Sequence, residues 1–290
     1  MTTAYSIIGK SLRMIGVLSS GDSGTAAEYQ DGLDSLNSII DSMAVEPAFY
    51  FCEQDETVTL SAKSNYCIGD ESVTIASLTC VLTTATATTS IPHSLETGNK
   101  VTVSGAVESN YNVTAQVTVT SPTTFTYTIV NTTSPATGSP VLTAGDMMTI
   151  RPIRILGAFT RSGGVDSPIG IVTEQYWTNI KDKSSTAAIP TKLLYRTNYP
   201  FGQIILYPVP SGTPVLHIKS EKFISQFSDL YDDQLLPPGY QRMLELGLAV
   251  DLCTEYGTRV SDAVAASIKA SWEMLIKNNQ QKLESLKLTQ

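Results

Sequence analysis

Helical spacing brackets this chain at both ends, and strand spacing fills the roughly two hundred residues between. Thr3 to Leu18 carries Ile7, Ile8, Leu12 and Ile15 on one face. Ser19-Ser20-Gly21-Asp22 breaks the period. Thr25-Ala26-Ala27-Glu28 is a capping box, in which Thr25 accepts from the amide three residues on and Glu28 reaches back. Leu33, Leu36, Ile39, Ile40 and Met43 follow at helical spacing, and the helix is expected to end near Ala44, before Pro47. At the far end, Pro237-Pro238 suits a helix start. Met243, Leu244, Leu246, Leu248, Val250 and Leu252 make the next helix apolar on most sides, which predicts a buried centre. Tyr256-Gly257 stops it. A last helix carries Val264, Ile268, Trp272, Leu275, Leu283 and Leu286 as its stripe, with Lys277, Lys282 and Lys287 toward the end where cations suit the dipole. Helices are thus expected over 3–18, 26–44, 238–256 and 261–288. Amphipathic ends must bury their faces, and a short connection makes the first two neighbours antiparallel. The fold expected is α+β: an antiparallel helical body from the N- and C-terminal helices, with the middle projecting from it.

Inside the bracket the period changes to two. Val58 and Leu60 alternate with Thr57 and Thr59, and Tyr66-Cys67-Ile68-Gly69 reads as a second, short strand. From about Asp70 to Ala144 Thr, Ser and Val dominate, and Lys100 is the only basic residue. Val101/Val103, Val117/Val119 and Phe125/Tyr127/Ile129 alternate with Thr and Ser, punctuated by Thr97-Gly98-Asn99, Ser104-Gly105 and Ser121-Pro122. Short half-buried strands at this spacing predict a small β-sandwich over 70–144. Arg151, Arg154 and Arg161 then return basic charge, Ile153 and Ile155 lead a strand to Phe159, and Gly163-Gly164 makes a loop. Glu174-Gln175-Tyr176-Trp177 opens a short helix or turn. Leu193-Leu194-Tyr195, Gln203 to Tyr207 and Val215 to Ile218 follow as strands between Pro and Gly turns, predicting a central β-meander.

Chemistry is sparse along the chain. Of 290 residues 42% are hydrophobic, enough for a real core, and 16% are charged, with a formal net charge of −8. Phosphate contacts need Lys and Arg, so an acidic balance argues against a phosphate-gripping surface. The start Met1-Thr2-Thr3-Ala4-Tyr5-Ser6 lacks a basic signal-peptide head, and no apolar run is of bilayer-spanning length. Cys52, Cys67, Cys80 and Cys253 form no C-x-x-C pair, so buried free thiols are expected rather than a zinc site. Asn112-Val113-Thr114 and Asn131-Thr132-Thr133 match the glycosylation pattern, which carries weight only in a secreted chain. His93 and His217 are the only histidines, and no pattern ties either to a nucleophile. No phosphate loop occurs. Asp229, Asp232 and Asp233 sit in a polar stretch that reads as a solvated loop face. Tyr195, Tyr199, Phe201 and Tyr207 are not interleaved with a basic run, so they read as sheet packing rather than a stacking platform.

Four stretches carry a family resemblance. They are Thr25-Ala26-Ala27-Glu28 leading to Leu33-Asp34-Ser35-Leu36-Asn37; Arg151-Pro152-Ile153-Arg154-Ile155; Ile205-Leu206-Tyr207-Pro208-Val209-Pro210; and Leu236-Pro237-Pro238-Gly239-Tyr240, opening the helix that ends in Glu255-Tyr256-Gly257. In this order the chain resembles the head-to-tail adaptor, or packaged-DNA stabilisation protein, of short-tailed phages, across about 1–69 and 145–290. Residues 70–144 depart from that pattern and resemble the immunoglobulin-like modules of phage structural proteins. They do so through His93-Ser94-Leu95, Thr97-Gly98, Val101 to Ala106, Tyr111-Asn112 and Thr124 to Tyr127. Cutting the insert out would join Ser64–Gly69 directly to Gly145–Ile155.

The resemblance implies a virion structural protein at the head–tail junction, made in the host bacterial cytoplasm, with no enzymatic role and no cofactor. Twelve copies would form a ring under the portal protein, extend the DNA channel, help retain packaged DNA and dock the next tail or nozzle protein. Double-stranded DNA would pass without sequence-specific binding, and no membrane is involved. Family precedent puts portal docking on the last helix and tail, at Lys277, Lys282, Leu283, Leu286, Lys287 and Leu288. Two alternatives stay open. A cell-wall glycan hydrolase would need two carboxylates across a groove, and the sequence singles out no pair. A host-surface carbohydrate-binding module would rest on the insert alone.

Overall fold

A computed structural model describes residues 2–44, 52–130, 134–234, 236, 239–259 and 262–287. The first elements are β1 (Thr2–Thr3), α1 (Ala4–Met14), α2 (Ala26–Ala44), β2 (Cys52–Thr59) and β3 (Asn65–Ile68). The Thr-rich region holds β4 (Val73–Val81), β5 (Thr84–Thr89), β6 (Lys100–Ala106), β7 (Thr114–Ser121), β8 (Thr124–Thr128) and β9 (Gly138–Ala144). Next come β10 (Arg154–Ser162), β11 (Val165–Val172), α3 (Glu174–Thr178), β12 (Thr186–Ala187), β13 (Lys192–Arg196), β14 (Gly202–Tyr207), β15 (Val209–Pro210) and β16 (Val215–Lys222). The chain closes with β17 (Asp233–Gln234), α4 (Tyr240–Glu255) and α5 (Asp262–Lys287). The class is mixed α+β. Two compact units divide it: residues 1–51 with 223–290, and residues 52–222. The expected boundaries at 69/70 and 144/145 both fall inside the second unit.

The first unit is built from the chain ends. Thr3 caps α1 by accepting from the Ser6 amide at 3.2 Å. The helix stops short of Leu18 because Gly16 takes a left-handed φ of 78°. The Val17 and Leu18 amides then fold back onto the Leu12 carbonyl at 3.0 and 3.3 Å, and both side chains still pack on the core. α2 opens with the capping box: the Thr25 amide donates to Glu28 Oε2 at 2.6 Å, and the Glu28 amide donates to Thr25 Oγ1 at 3.3 Å. α1 and α2 approach closely at Gly32, where a Cβ would stand 2.6 Å from Ile8 Cγ2. One core joins Ile7, Ile8 and Leu12 of α1, Leu33, Leu36 and Ile40 of α2, Met243, Leu244, Leu248 and Leu252 of α4, and Leu275 of α5. Each such side chain contributes about 1.5–3 kcal/mol through burial. α4 is buried on most sides, as its sequence predicts. The expected Pro237-Pro238 start lies outside the described residues; Gly239, at φ 95°, stands at the N-cap. At the other end Gly257, at φ 61°, lets the Thr258 amide reach the Cys253 carbonyl at 3.1 Å, satisfying one of the orphan carbonyls of the last turn.

The second unit corrects two expectations. Its seven-stranded sheet runs β2-β16-β10-β11-β13-β14-β3, antiparallel except between β11 and β13, and is not a meander. β13 and β14 form a hairpin, but β16 is not beside β14. Pro208 and Pro210 have no amide hydrogen to continue the ladder. Val209–Pro210 pairs instead with Thr186–Ala187, and the chain returns as β16 between β2 and β10. The Thr-rich strands make a closed barrel, β4-β5-β8-β7-β6-β9, rather than a sandwich. β4 pairs with β9 through Val73 and Thr74, then with β5 from Ile75 onward, with an irregularity in that ladder between Ile75 and Ser77. A second bulge between Ser104 and Ala106 bends β6. There Gly105 has φ 85° and would place a Cβ 2.4 Å from the Ser139 carbonyl oxygen. Such bulges add the bend and twist that let a sheet close on itself and lose its edges. The core is Val101, Val103, Val117, Phe125, Tyr127 and Leu142 with their neighbours.

Candidate functional site

The residues expected to dock a partner lie on α5. Trp272 and Leu275 of this helix pack on the helical core, Met274 is 65% exposed and Lys277 is exposed. Lys282, Leu283, Leu286 and Lys287 belong to the same helix, whose 26 residues span about 39 Å. Leu288 lies outside the described residues. No helix among the described residues is long and apolar enough to cross a membrane.

The groups that could carry chemistry are engaged elsewhere. His217 stacks on Phe159 across β16 and β10, centroids 4.5 Å apart and 4° from parallel. His93 is buried in the barrel, where its Nδ1 accepts from the Leu95 amide at 3.0 Å, and burial holds its imidazole below the usual histidine range. Cys67 is pushed up to about 12, chiefly by burial and then by the Asp146 carboxylate, so its thiol is no nucleophile near neutral pH. Cys80 and Cys253 are also free thiols. Asp229 accepts from the Tyr231 and Asp232 amides at 2.7 and 2.8 Å, and Asp232 accepts from the Ser228 amide and hydroxyl at 3.1 Å each. These two carboxylates brace a turn. Among the described residues no cluster of three His, Cys, Asp or Glu is placed to hold a metal ion. Of the four aromatics read as sheet packing, Phe201 is buried against the barrel core and the Tyr195 hydroxyl donates to the Pro152 carbonyl at 2.6 Å. Tyr199 is 60% exposed.

The most densely bonded polar cluster is the barrel root, which the sequence does not announce. Asp146 Oδ1 receives the Lys63 ammonium at 2.5 Å, with side-chain exposures of only 9% for Lys63 and 4% for Asp146. Its Oδ2 accepts from the backbone amides of Cys67 and Lys100 at 3.1 and 2.9 Å. One carboxylate thus ties together the strand entering the barrel, the start of β6 and the exit after β9. Beside it the Met147 amide donates to the Cys67 carbonyl and the Gly69 amide to the Met147 carbonyl, so the two ends of the insert run side by side. Arg196 Nη1 reaches Glu96 Oε1 at 2.8 Å while its other nitrogens hold Glu174 at 2.6 and 3.0 Å. The Arg196 pairing keeps the Glu174 carboxyl below its ordinary range. Gln203 of β14 donates to the Ser94 carbonyl at 3.0 Å, and the Ser94 hydroxyl donates to the Tyr199 carbonyl just before β14 at 2.6 Å. At the opposite end of the barrel Val81, Leu82, Val107 and Val130 are each more than 70% exposed, and Leu82 has a φ of 56°.

No protein-family model matches the chain, and no curated protein matches it.

Proposed function

We propose that this protein is a structural head-to-tail adaptor of a short-tailed phage, forming a ring under the portal that lengthens the DNA channel and docks the next tail component. The observation that carries this reading is the bracket. Both chain ends contribute to one helical core, α1 and α2 with α4 and α5, while the β-rich middle is a compact unit of its own. In this reading the helices pack as an antiparallel body, and that body is the ring-forming, portal-facing part. α5 and the tail after it make the portal contact through Lys277, Lys282, Leu283, Leu286, Lys287 and Leu288. The barrel, rooted by Asp146, is an inserted module that leaves the adaptor core intact.

The reading is tested by mixing the purified chain with the portal ring of the same virus and measuring mass. Assembly at fixed stoichiometry supports it, and failure to bind refutes it. Release of soluble fragments from purified cell wall would favour a glycan hydrolase instead.

A further inference from the structure

Nine of the chain's 19 Lys and Arg fall between residues 151 and 222, against four of its 27 Asp and Glu. A local basic island therefore sits in an acidic protein. Most of its cations are neutralised: Arg154 by Glu221, Arg161 by Asp166, Arg196 by Glu96 and Glu174, Lys219 by Glu53, and Lys222 by Glu56. Arg151, Lys181, Lys183 and Lys192 have no carboxylate at ion-pair distance among the described residues; Arg151 stands apart from the other three, donating to the Thr197 carbonyl at 3.3 Å and lying 5.8 Å from the Tyr199 ring centre. Asp182, between Lys181 and Lys183, uses its Oδ1 to accept from the Ser184 amide and hydroxyl at 2.9 and 2.5 Å.

Two of the three lysines are held on aromatic rings. Lys192 Nζ lies 5.7 Å from the Tyr176 ring centre, and Lys183 Nζ lies 5.9 Å from that of Trp177. Trp177 meets Tyr207 edge-on at 6.3 Å, and Tyr207 is the direct cross-strand neighbour of Lys192. The contacts close on themselves, so both ammonium groups belong to one surface patch. A ring face attracts a cation without neutralising it. The ammonium keeps its full charge on the side facing solvent. Tyr176 and Trp177 each carry a cation on one face, and Lys183 Nζ also donates to the Ile180 carbonyl at 3.0 Å, so the patch offers positioned ammonium groups to anionic oxygens.

We infer that the α3 patch, Lys183 and Lys192 with Tyr176 and Trp177 and the exposed Lys181 two residues before Lys183, is a contact site for the phosphate backbone of duplex DNA. The choice of duplex among polyanions rests on the adaptor reading; the patch itself does not. Three lysines in a chain of net charge −8 give a weak, sequence-independent and strongly salt-dependent contact. That suits a surface which DNA touches in passing.

The chain has two tryptophans, so the Trp177 indole N–H gives one of two resolvable NMR signals, assigned with Trp272→Phe. The full-length protein is titrated with a mixed-sequence duplex at about 0.01 M salt, where charges reach about 30 Å. The Trp177 signal is expected to move and the Trp272 signal to stay. Affinity should fall with salt at a log–log slope of about −2 to −3, as for up to three phosphate contacts. The triple variant Lys181→Gln/Lys183→Gln/Lys192→Gln should lose at least about tenfold in affinity, and the corresponding triple Arg variant should retain binding. A static Trp177 signal, equal binding by the Gln variant, tighter binding of single-stranded DNA, or a response to anionic lipid vesicles in place of duplex would each overturn the inference. The assay uses the isolated chain. Its failure alongside successful portal assembly would remove this site and leave the adaptor reading standing.

Discussion

Replacing Asp146 by Ala should unfasten the barrel from the sheet. The side chain is 4% exposed and is bonded to one buried ammonium and two backbone amides. Deleting one partner of a buried ion pair costs about 3–5 kcal/mol, because the other charge stays behind without compensation. Each amide left without an acceptor adds about 1–3 kcal/mol. These costs overlap, since one carboxylate serves the ammonium, both amides and, at 3.5 Å, the Cys67 thiol, so a loss of about 5 kcal/mol is expected. Two compact units make a single unfolding free energy ill-defined, so amide hydrogen exchange is the suitable assay. Protection at the Cys67 and Lys100 amides, and across β6 and β9, should fall in Asp146→Ala while α1 and α4 keep theirs. Asp146→Asn with Lys63→Met removes the charge but keeps an acceptor, and should recover more than half of the loss. If Cys67 and Lys100 stay fully protected in Asp146→Ala, or if the double variant is no better than the single, the root is not held by this carboxylate.

Other consequences follow from the same structure. Leu82 is 75% exposed at a φ of 56°, a left-handed conformation that costs an ordinary residue about 1–2 kcal/mol. Leu82→Asn should therefore stabilise the barrel by about 0.5–1 kcal/mol in hydrogen exchange of the β4 and β5 amides, and no gain would mean the turn relaxes at no cost. Burial depresses the His93 pKa, so the stability that comes from keeping it neutral is present above about pH 6.5. That stability is lost as pH falls from there toward the folded value. Urea midpoints of the barrel should drop between about pH 7 and pH 5, and His93→Gln should flatten the drop; an unchanged pH profile would refute the assignment. Deleting Lys282–Gln290 should abolish portal binding while near-ultraviolet circular dichroism stays native. Undiminished binding would move the contact off the tail.

The helical ends were legible because their signals are local. Thr25 and Glu28 form the expected capping box three residues apart, and Gly257 stops α4 within one turn of the last apolar residue. Alternating Val and Thr gave strands but not their partners. The same alternation fills a sandwich or a barrel, and closure depends on β4 dividing its pairing between β9, up to Thr74, and β5, from Ile75. The meander failed for a like reason. Pro210-Ser211-Gly212 reads as a break between strands, but nothing local says that the next strand returns between β2 and β10. Asp146 was invisible as an anchor because its donors lie 83, 79 and 46 residues away along the chain. The α3 patch was dispersed in the same way: Tyr176, Trp177, Lys183, Lys192 and Tyr207 form no run, and only the register of β13 with β14 and the turn of α3 gather them.

The adaptor proposal stands or falls on mass in solution, taken for the chain alone and for the chain mixed with the phage portal ring that the proposal assigns to it. A head-to-tail adaptor should assemble into a ring of fixed stoichiometry on the portal. A chain that stays monomeric and ignores the portal would contradict the proposal.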